Sequence, residues 1–484
     1  MNSKKQLIIS LGLLLAIASL QAQVVLPKIL GNNMVLQRQK PVPIWGTASS
    51  GEKITVIFSG QVKNTVADAT GKWQVYLDPM EASDKPAQMM ITGQNTITLE
   101  NILVGEVWLC SGQSNMEYSM RKNAKLGPLV KGEKPKEDDL ATANNPNIRI
   151  FLVNRKFMKP DPKHKGWDVA KDSALRLFSA VGYFFAKEVY AQLHIPIGMI
   201  SSAVSGSRIE PWIEAGKLAV SPALKNGETL KPLTSDGGDP GKFYPDMIQP
   251  LIPFALRGFL WYQGESGCFL NETIRYSYKF KTLIESWREA WGNKNLPFYF
   301  VQIAPYYYSH TKEVHSDEAL PEFREAQATA LKLPNTGMVI TTDLADNIGD
   351  IHPSYKWEVG RRLSLWALNL TYGFKNTVYS GPMYKQMKIK GNTIELEFTH
   401  TGSGLKSRDG KPLNCFSIAG KDGKFVDAQA VIKGDKVVVS SPEVKKPVEV
   451  RFAWKEDAQP NFTNNEGLPA APFRTNNAME KLFQ

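Results

Sequence analysis

Between about residues 104 and 373, short apolar runs alternate with amphipathic segments of helix length, and that alternation restricts the fold more than any single motif does. The strand-like runs fall at 106–110, 149–153, 198–202, 257–262, 297–303 and 337–341, the helical ones near 179–193, 273–291, 320–332 and 355–370. Within 273–291, Tyr276, Phe280, Leu283, Ile284, Trp287 and Trp291 recur at spacings of three and four, which is one face of a helix. Apolar strands joined through helices call for right-handed crossovers and a mainly parallel sheet covered on both faces. The flanks read differently. Runs such as 53–58 and 72–77 before this region, and 387–389, 394–398, 430–432, 436–439 and 448–452 after it, are short, β-rich and separated by Gly, Asn and Asp turns. The expected order is a β domain (23–103), an α/β domain (104–373) and a second β domain (374–484), in keeping with a length that suggests about three domains.

Residues 1–22 read as a secretory signal peptide: Lys4 and Lys5, an apolar run from Leu7 to Leu20, then a small-residue exit at Ala22. The run is too short to span a bilayer and no later one reaches its length. The expectation is cleavage after Ala22 and a secreted or periplasmic protein with no membrane anchor. The formal charge of +11 is spread along the chain, and its one local cluster, Lys131 to Lys136, contains acids too. That pattern fits a solvated surface or anionic substrates better than nucleic acid. Three cysteines, Cys110, Cys268 and Cys415, are too few for a disulfide scaffold. Cys110 and Cys268 read as two buried free thiols, with a bridge between them as the alternative. None of the six histidines lies in an H-E-x-x-H pattern and no Cys/His grouping has metal spacing, so no metal or other cofactor is implied.

In open α/β sheets, ligand-handling groups gather where strands end. Ser114 follows the 106–110 run in Ser111-Gly112-Gln113-Ser114-Asn115-Met116. Ser205-Gly206-Ser207-Arg208 follows 198–202, Gln263-Gly264-Glu265-Ser266 follows 257–262, and Asp350 and His352 lie in the loop after 337–341. One rim would then hold a hydroxyl, an imidazole and an acid, which acyl transfer through a serine ester requires. Ser114 is the candidate nucleophile, helix N-capping its competing role and Ser111 the second candidate. With Met at 116, the turn is not the G-x-S-x-G elbow of ordinary α/β-hydrolases. His352 is the candidate base, oriented by Asp350 or, failing it, Asp346. Oxyanion candidates are the backbone N–H groups of Ser114 and Gly206 and the side-chain amide of Gln263. Arg208 and Trp212 are candidate sugar contacts. Glu265 joins them, either as a further acid/base or as an organiser of its loop, and Trp261 fits a sugar or the core equally.

At these residues the chain closely resembles the sialate O-acetylesterase family of SGNH-type serine esterases. The family's G-Q-S-N-M turn matches 112–116, and its glycine block before an I-E-x-W run matches Gly206 with Ile209-Glu210-Pro211-Trp212. Its W-Y-Q-G-E-S block matches 261–266 and its D-I-H-P matches 350–353. The flanking β segments take part, so the resemblance covers nearly all of the chain after residue 22. It implies an SGNH-like, flavodoxin-type parallel-sheet domain between β-sandwich-like domains. It also implies removal of O-acetyl groups from carbohydrate, acetylated sialic acid foremost, with acetylxylan or another hemicellulose as the alternative. Two positions depart from the pattern: Val204-Ser205-Gly206-Ser207 replaces W-G-G-T/S, and Gly267 stands where the third block ends in Asn. A carbohydrate-binding protein with an inactive esterase core is the reading from another class.

Overall fold

The computed structural model describes residues 23–123, 139–153, 165–221, 238–311 and 316–483; residues 1–22, where a signal peptide is expected, the 131–136 cluster, His164 and His315 lie outside them. The chain is α/β, as the alternation requires. Its main sheet runs in the order Thr336–Val339, Phe298–Val301, Gly258–Tyr262, Thr96–Gly112, Ile197–Ala203, Ile148–Val153, Trp167–Val169. Every pairing in it is parallel except the last, an antiparallel edge that the sequence pattern did not single out. After the central strand, the chain adds strands first on one side and then on the other. The carboxyl end of Thr96–Gly112, between Ile197–Ala203 and Gly258–Tyr262, is therefore where the topology reverses, the place where open α/β sheets take up ligands.

Alternate side chains of the parallel strands enter two cores. Val107, Leu109, Phe259, Trp261, Phe298 and Phe300 face the helices Ile274–Ala290 and Ala319–Ala328. Trp108, Cys110, Leu260, Tyr262 and Tyr299 face Ala180–Leu193 and Lys356–Trp366. Burial on both faces is why these strands read as unbroken apolar runs. Ser179, whose hydroxyl accepts from Gly182 N at 3.1 Å, starts the first of those helices, and His194, left-handed at φ 53°, ends it.

Thr96–Gly112 changes character along its 17 residues. Its first half is partly exposed and pairs antiparallel with Ser83–Thr92; its second half is buried throughout and belongs to the parallel sheet. The boundary expected at 103/104 thus falls inside one continuous strand, and residues of the N-terminal β region such as Val35, Ile54 and Phe58 share a core with Leu109 and Trp261. The C-terminal region differs. Two antiparallel four-stranded sheets enclose a separate core that includes Ile394, Leu396, Ile418, Val439 and Phe452. Polar ties such as Arg451–Glu318 at 2.6 Å and Arg474–Glu325 at 2.7 Å fasten it to the helix 319–328 region.

Candidate active site

Three strand ends lie level where the topology reverses: Gly112 pairs with Ala203 on one side and Tyr262 on the other. The chain then turns sharply. Gly112 has φ 140°, and a Cβ there would sit 2.1 Å from the Tyr262 carbonyl oxygen, so only glycine fits. The turn is laced to its neighbours, Gln113 N donating to Tyr262 O at 3.0 Å, Val204 N to Gly112 O at 3.1 Å and Gly264 N to the Gln113 side chain at 3.2 Å. Ser114 follows as the first residue of the short helix Ser114–Glu117 and is half-buried. Gln113 occupies the cap position, so Ser114 is not an N-cap. Ser111, the second candidate nucleophile, is 0% exposed inside the sheet, out of a substrate's reach.

Gly206 sits in an exposed turn at φ 71°, its carbonyl accepting from Ser266 Oγ at 3.2 Å. The neighbouring Ser205 N donates to Glu117 Oε2 at 2.7 Å, pinning this turn to the Ser114 helix. Among the described residues the N–H groups of Ser114 and Gly206 have no acceptor, which leaves both available to an oxyanion.

On the opposite side, Asn115 Nδ2 donates to the Ile351 carbonyl at 3.0 Å and Asn115 Oδ1 accepts from Lys356 Nζ at 2.7 Å. Ser114 and His352 thus lie one residue either side of a direct hydrogen bond. The His352 imidazole is held below its ordinary value, first by burial and then by the Lys356 charge, against an opposing pull from Asp350. It is neutral, and so able to accept a proton, at neutral pH. Asp350 Oδ1 accepts the His352 backbone N–H at 2.8 Å, but lies 3.7 Å from ring Nδ1, beyond hydrogen-bond distance. The other candidate acid, Asp346, accepts from Ser354 Oγ at 2.5 Å.

Four expected site residues are buried behind the rim, Glu265 among them in the organising role that the sequence offered. Gln263 is fully buried; its Nε2 donates to Ser207 O at 3.3 Å and its Oε1 accepts from Tyr276 OH at 2.9 Å, which makes it part of the wall behind the oxyanion turn. Trp212 is 0% exposed, donating to Ser207 Oγ at 3.1 Å and packing against Trp261 in the core. Arg208 is buried beside Glu210 and lies 3.6 Å from Glu272, so carboxylates of the protein already match its charge. Glu265, also buried, accepts from Asn115 Nδ2 at 2.5 Å and so organises its loop. Each was placed on the rim because its motif follows a strand end, but such turns have an inner face as well. Conversely, Asn115 and Lys356 join the two halves of the site, and sequence reasoning passed over both. A lysine at the first position of a helix, where the dipole disfavours a cation, was the available signal. Cys110 and Cys268 are buried free thiols. No group of His, Cys, Asp and Glu among the described residues is arranged to hold a metal, and no described helix is long and apolar enough to cross a membrane.

A mainly parallel α/β sheet whose neighbouring strands end in an accessible serine and unpaired N–H donors, tied by Asn115 to a histidine loop, fits a carboxylic ester hydrolase. The chain belongs to the carbohydrate esterase family of sialic acid-specific acetylesterases, whose family model matches residues 104–366. The sialate O-acetylesterase of Homo sapiens is 29% identical over 92% of this chain and 91% of its own, and that of Pongo abelii 27% identical over the same shares. The crystal structure of a carbohydrate acetylesterase from Xanthomonas citri superposes with a TM-score of 0.81 at 36% identity, covering 93% of this chain and 99% of that one.

Proposed function

We propose that this enzyme removes acetyl groups from carbohydrate hydroxyls through an acetyl-serine intermediate at Ser114. The observation that supports the reading is the Asn115–Ile351 hydrogen bond, which joins the residue after Ser114 to the residue before His352. His352 takes the Ser114 proton as Oγ attacks the acetyl carbonyl carbon, and the oxygen that becomes anionic accepts from the N–H groups of Ser114 and Gly206. Collapse breaks the ester bond, and the departing sugar oxygen takes the proton from the imidazolium. Water, deprotonated by His352, then attacks the acetyl-enzyme; the acetyl–Oγ bond breaks, acetate leaves and Ser114 Oγ takes the proton back from the imidazolium.

The curated relatives named for sialate support an acetylated sialic acid as substrate. A second reading, an acetyl ester on a neutral sugar such as acetylated xylan, draws support from Arg208, whose charge is already matched and so is not offered to a sialate carboxylate. Acetate release from acetylated sialate against acetylated xylan separates the two. Faster release from xylan, with Arg208→Ala altering KM equally for both, overturns the sialate assignment and leaves the esterase mechanism intact. The basic and apolar start of the chain supports export, and a mature protein beginning at Gln23 in the periplasm or medium is the expected finding.

A further inference from the structure

Lys356 opens the helix Lys356–Trp366 and is 0% exposed. Both facts disfavour a cation: burial strips its water, and the positive end of the helix dipole repels it. Packing alone would be met by an apolar side chain of similar volume. The ammonium is nevertheless well partnered. It donates to Asn115 Oδ1 at 2.7 Å and to the Pro353 carbonyl, and lies 4.7 Å from the centre of the Tyr118 ring and 5.8 Å from that of Tyr262. Asn115 Nδ2 in turn gives its protons to Glu265 and to the Ile351 carbonyl. The Asn115 amide is thereby held at both ends, and the carbonyls on either side of His352, those of Ile351 and Pro353, are each bonded into the cluster.

We propose that Lys356 is a positioning residue of this esterase site, tying the His352 loop to the Ser114 turn through Asn115 and presenting its charge to the imidazole. The inference rests on the serine-esterase reading above. Asn115, Glu265 and Lys356 are all buried, so the tether resists the displacement that a loop of exposed residues otherwise allows. The groups facing the ammonium are Glu265 from the helix that follows the third strand end, Asp346 and Asp350 from its own loop, Lys122 from the segment after the Ser114 helix, and the Tyr118 and Tyr262 rings. Burial outweighs the acids and brings the ammonium down to about 7, so its charge is full on the acid side, where His352 titrates. There it opposes protonation of the ring and keeps the base available.

The test uses the full-length enzyme with a chromogenic acetyl ester. Lys356→Met removes tether and charge; Lys356→Gln retains two N–H donors without the charge. The expected result for Lys356→Met is a fall in kcat of about 10- to 100-fold with little change in KM, as for a misplaced reacting group. The acid limb of kcat/KM should move to higher pH, because the histidine no longer feels the cation. In Lys356→Gln part of the lost turnover should return while the limb stays displaced. A folded Lys356→Met enzyme with unchanged kcat and an unmoved limb overturns the proposal. Should that variant fail to fold, an unmoved limb in Lys356→Gln does the same. Ser114→Ala is assayed in parallel: if it retains activity, the serine-esterase reading has failed, whereas if it is inactive and the Lys356 variants behave as wild type, only this inference has failed.

Discussion

Ser114 and Gly206 leave neighbouring strands at positions fixed by sheet register, with Gly112 paired to Ala203 and to Tyr262. His352 comes from a loop after the edge strand Thr336–Val339, and its nearest acid, Asp350, has 57% of its side chain exposed. The side that carries the candidate nucleophile is therefore positioned by backbone pairing, in which slippage by one residue would send every side chain of the strand to the opposite core. The base side depends on a few side-chain hydrogen bonds through Asn115 and Lys356. In the proposed mechanism, sheet register holds the side where charge develops on the oxyanion, and a buried side-chain tether holds the side where the proton moves.

That contrast is exposed most directly by removing one group from each side. Ser114→Ala and His352→Ala should each lower kcat by about three orders of magnitude or more while the melting temperature stays near that of the wild type, read by ester hydrolysis and thermal denaturation. Activity in Ser114→Ala that vanishes in Ser111→Ala would move the nucleophile into the strand and undo the assignment.

Gly112→Ala probes the register itself. A methyl group 2.1 Å from the Tyr262 oxygen forces the turn open, so a stability loss of about 3 kcal/mol together with lost activity is expected from denaturant melts. No comparable loss should follow Gly349→Ala in the base loop, where the nearest atom to an added Cβ is a side-chain oxygen at 3.2 Å.

Acid pH should act through the base side alone. Because burial and Lys356 hold His352 below 6.5, kcat/KM should rise as pH climbs through a value lower than 6.5 and then level off. A limb at or above 6.5 would mean that the loop leaves the ring as open as a free histidine.

The smallest effect is expected at Asp350. An exposed carboxylate 3.7 Å from the ring is screened by water, and pairs of this kind are worth roughly 0.2–1 kcal/mol, so Asp350→Asn should slow turnover by about two- to fivefold at most. A loss of a thousandfold would show that Asp350 closes onto His352 when substrate binds, and the two sides would then be equally ordered in the reacting complex.

Much of this was legible in the chain because it depends on local period and on short-range turn chemistry. The helix face of Tyr276, Phe280, Leu283 and Trp287 lies in the core as its spacing requires, and the unbroken apolar runs are strands buried on both faces. The turn glycines at 112 and 206 and the serine beside them follow from strand ends that sequence alone can locate. Other features depended on partners distant in the sequence. That Thr96–Gly112 serves two sheets follows from Ser83–Thr92 pairing with its first half and Ile197–Ala203 with its second, and neither choice is written in the strand itself. Whether Gln263, Trp212 and Arg208 face the cleft or the core was likewise open, since a polar residue after a strand satisfies its hydrogen bonds equally well from solvent or from Tyr276, Ser207 and Glu210. The sequence by itself determined the layered fold and singled out Ser114 and His352 as candidate nucleophile and base, because periodicity and turn geometry are properties of neighbours in the chain. Only the tertiary structure decided that Asn115 and Lys356, 241 residues apart, join those two groups, because burying a lysine requires hydrogen-bond acceptors that only the folded chain brings together.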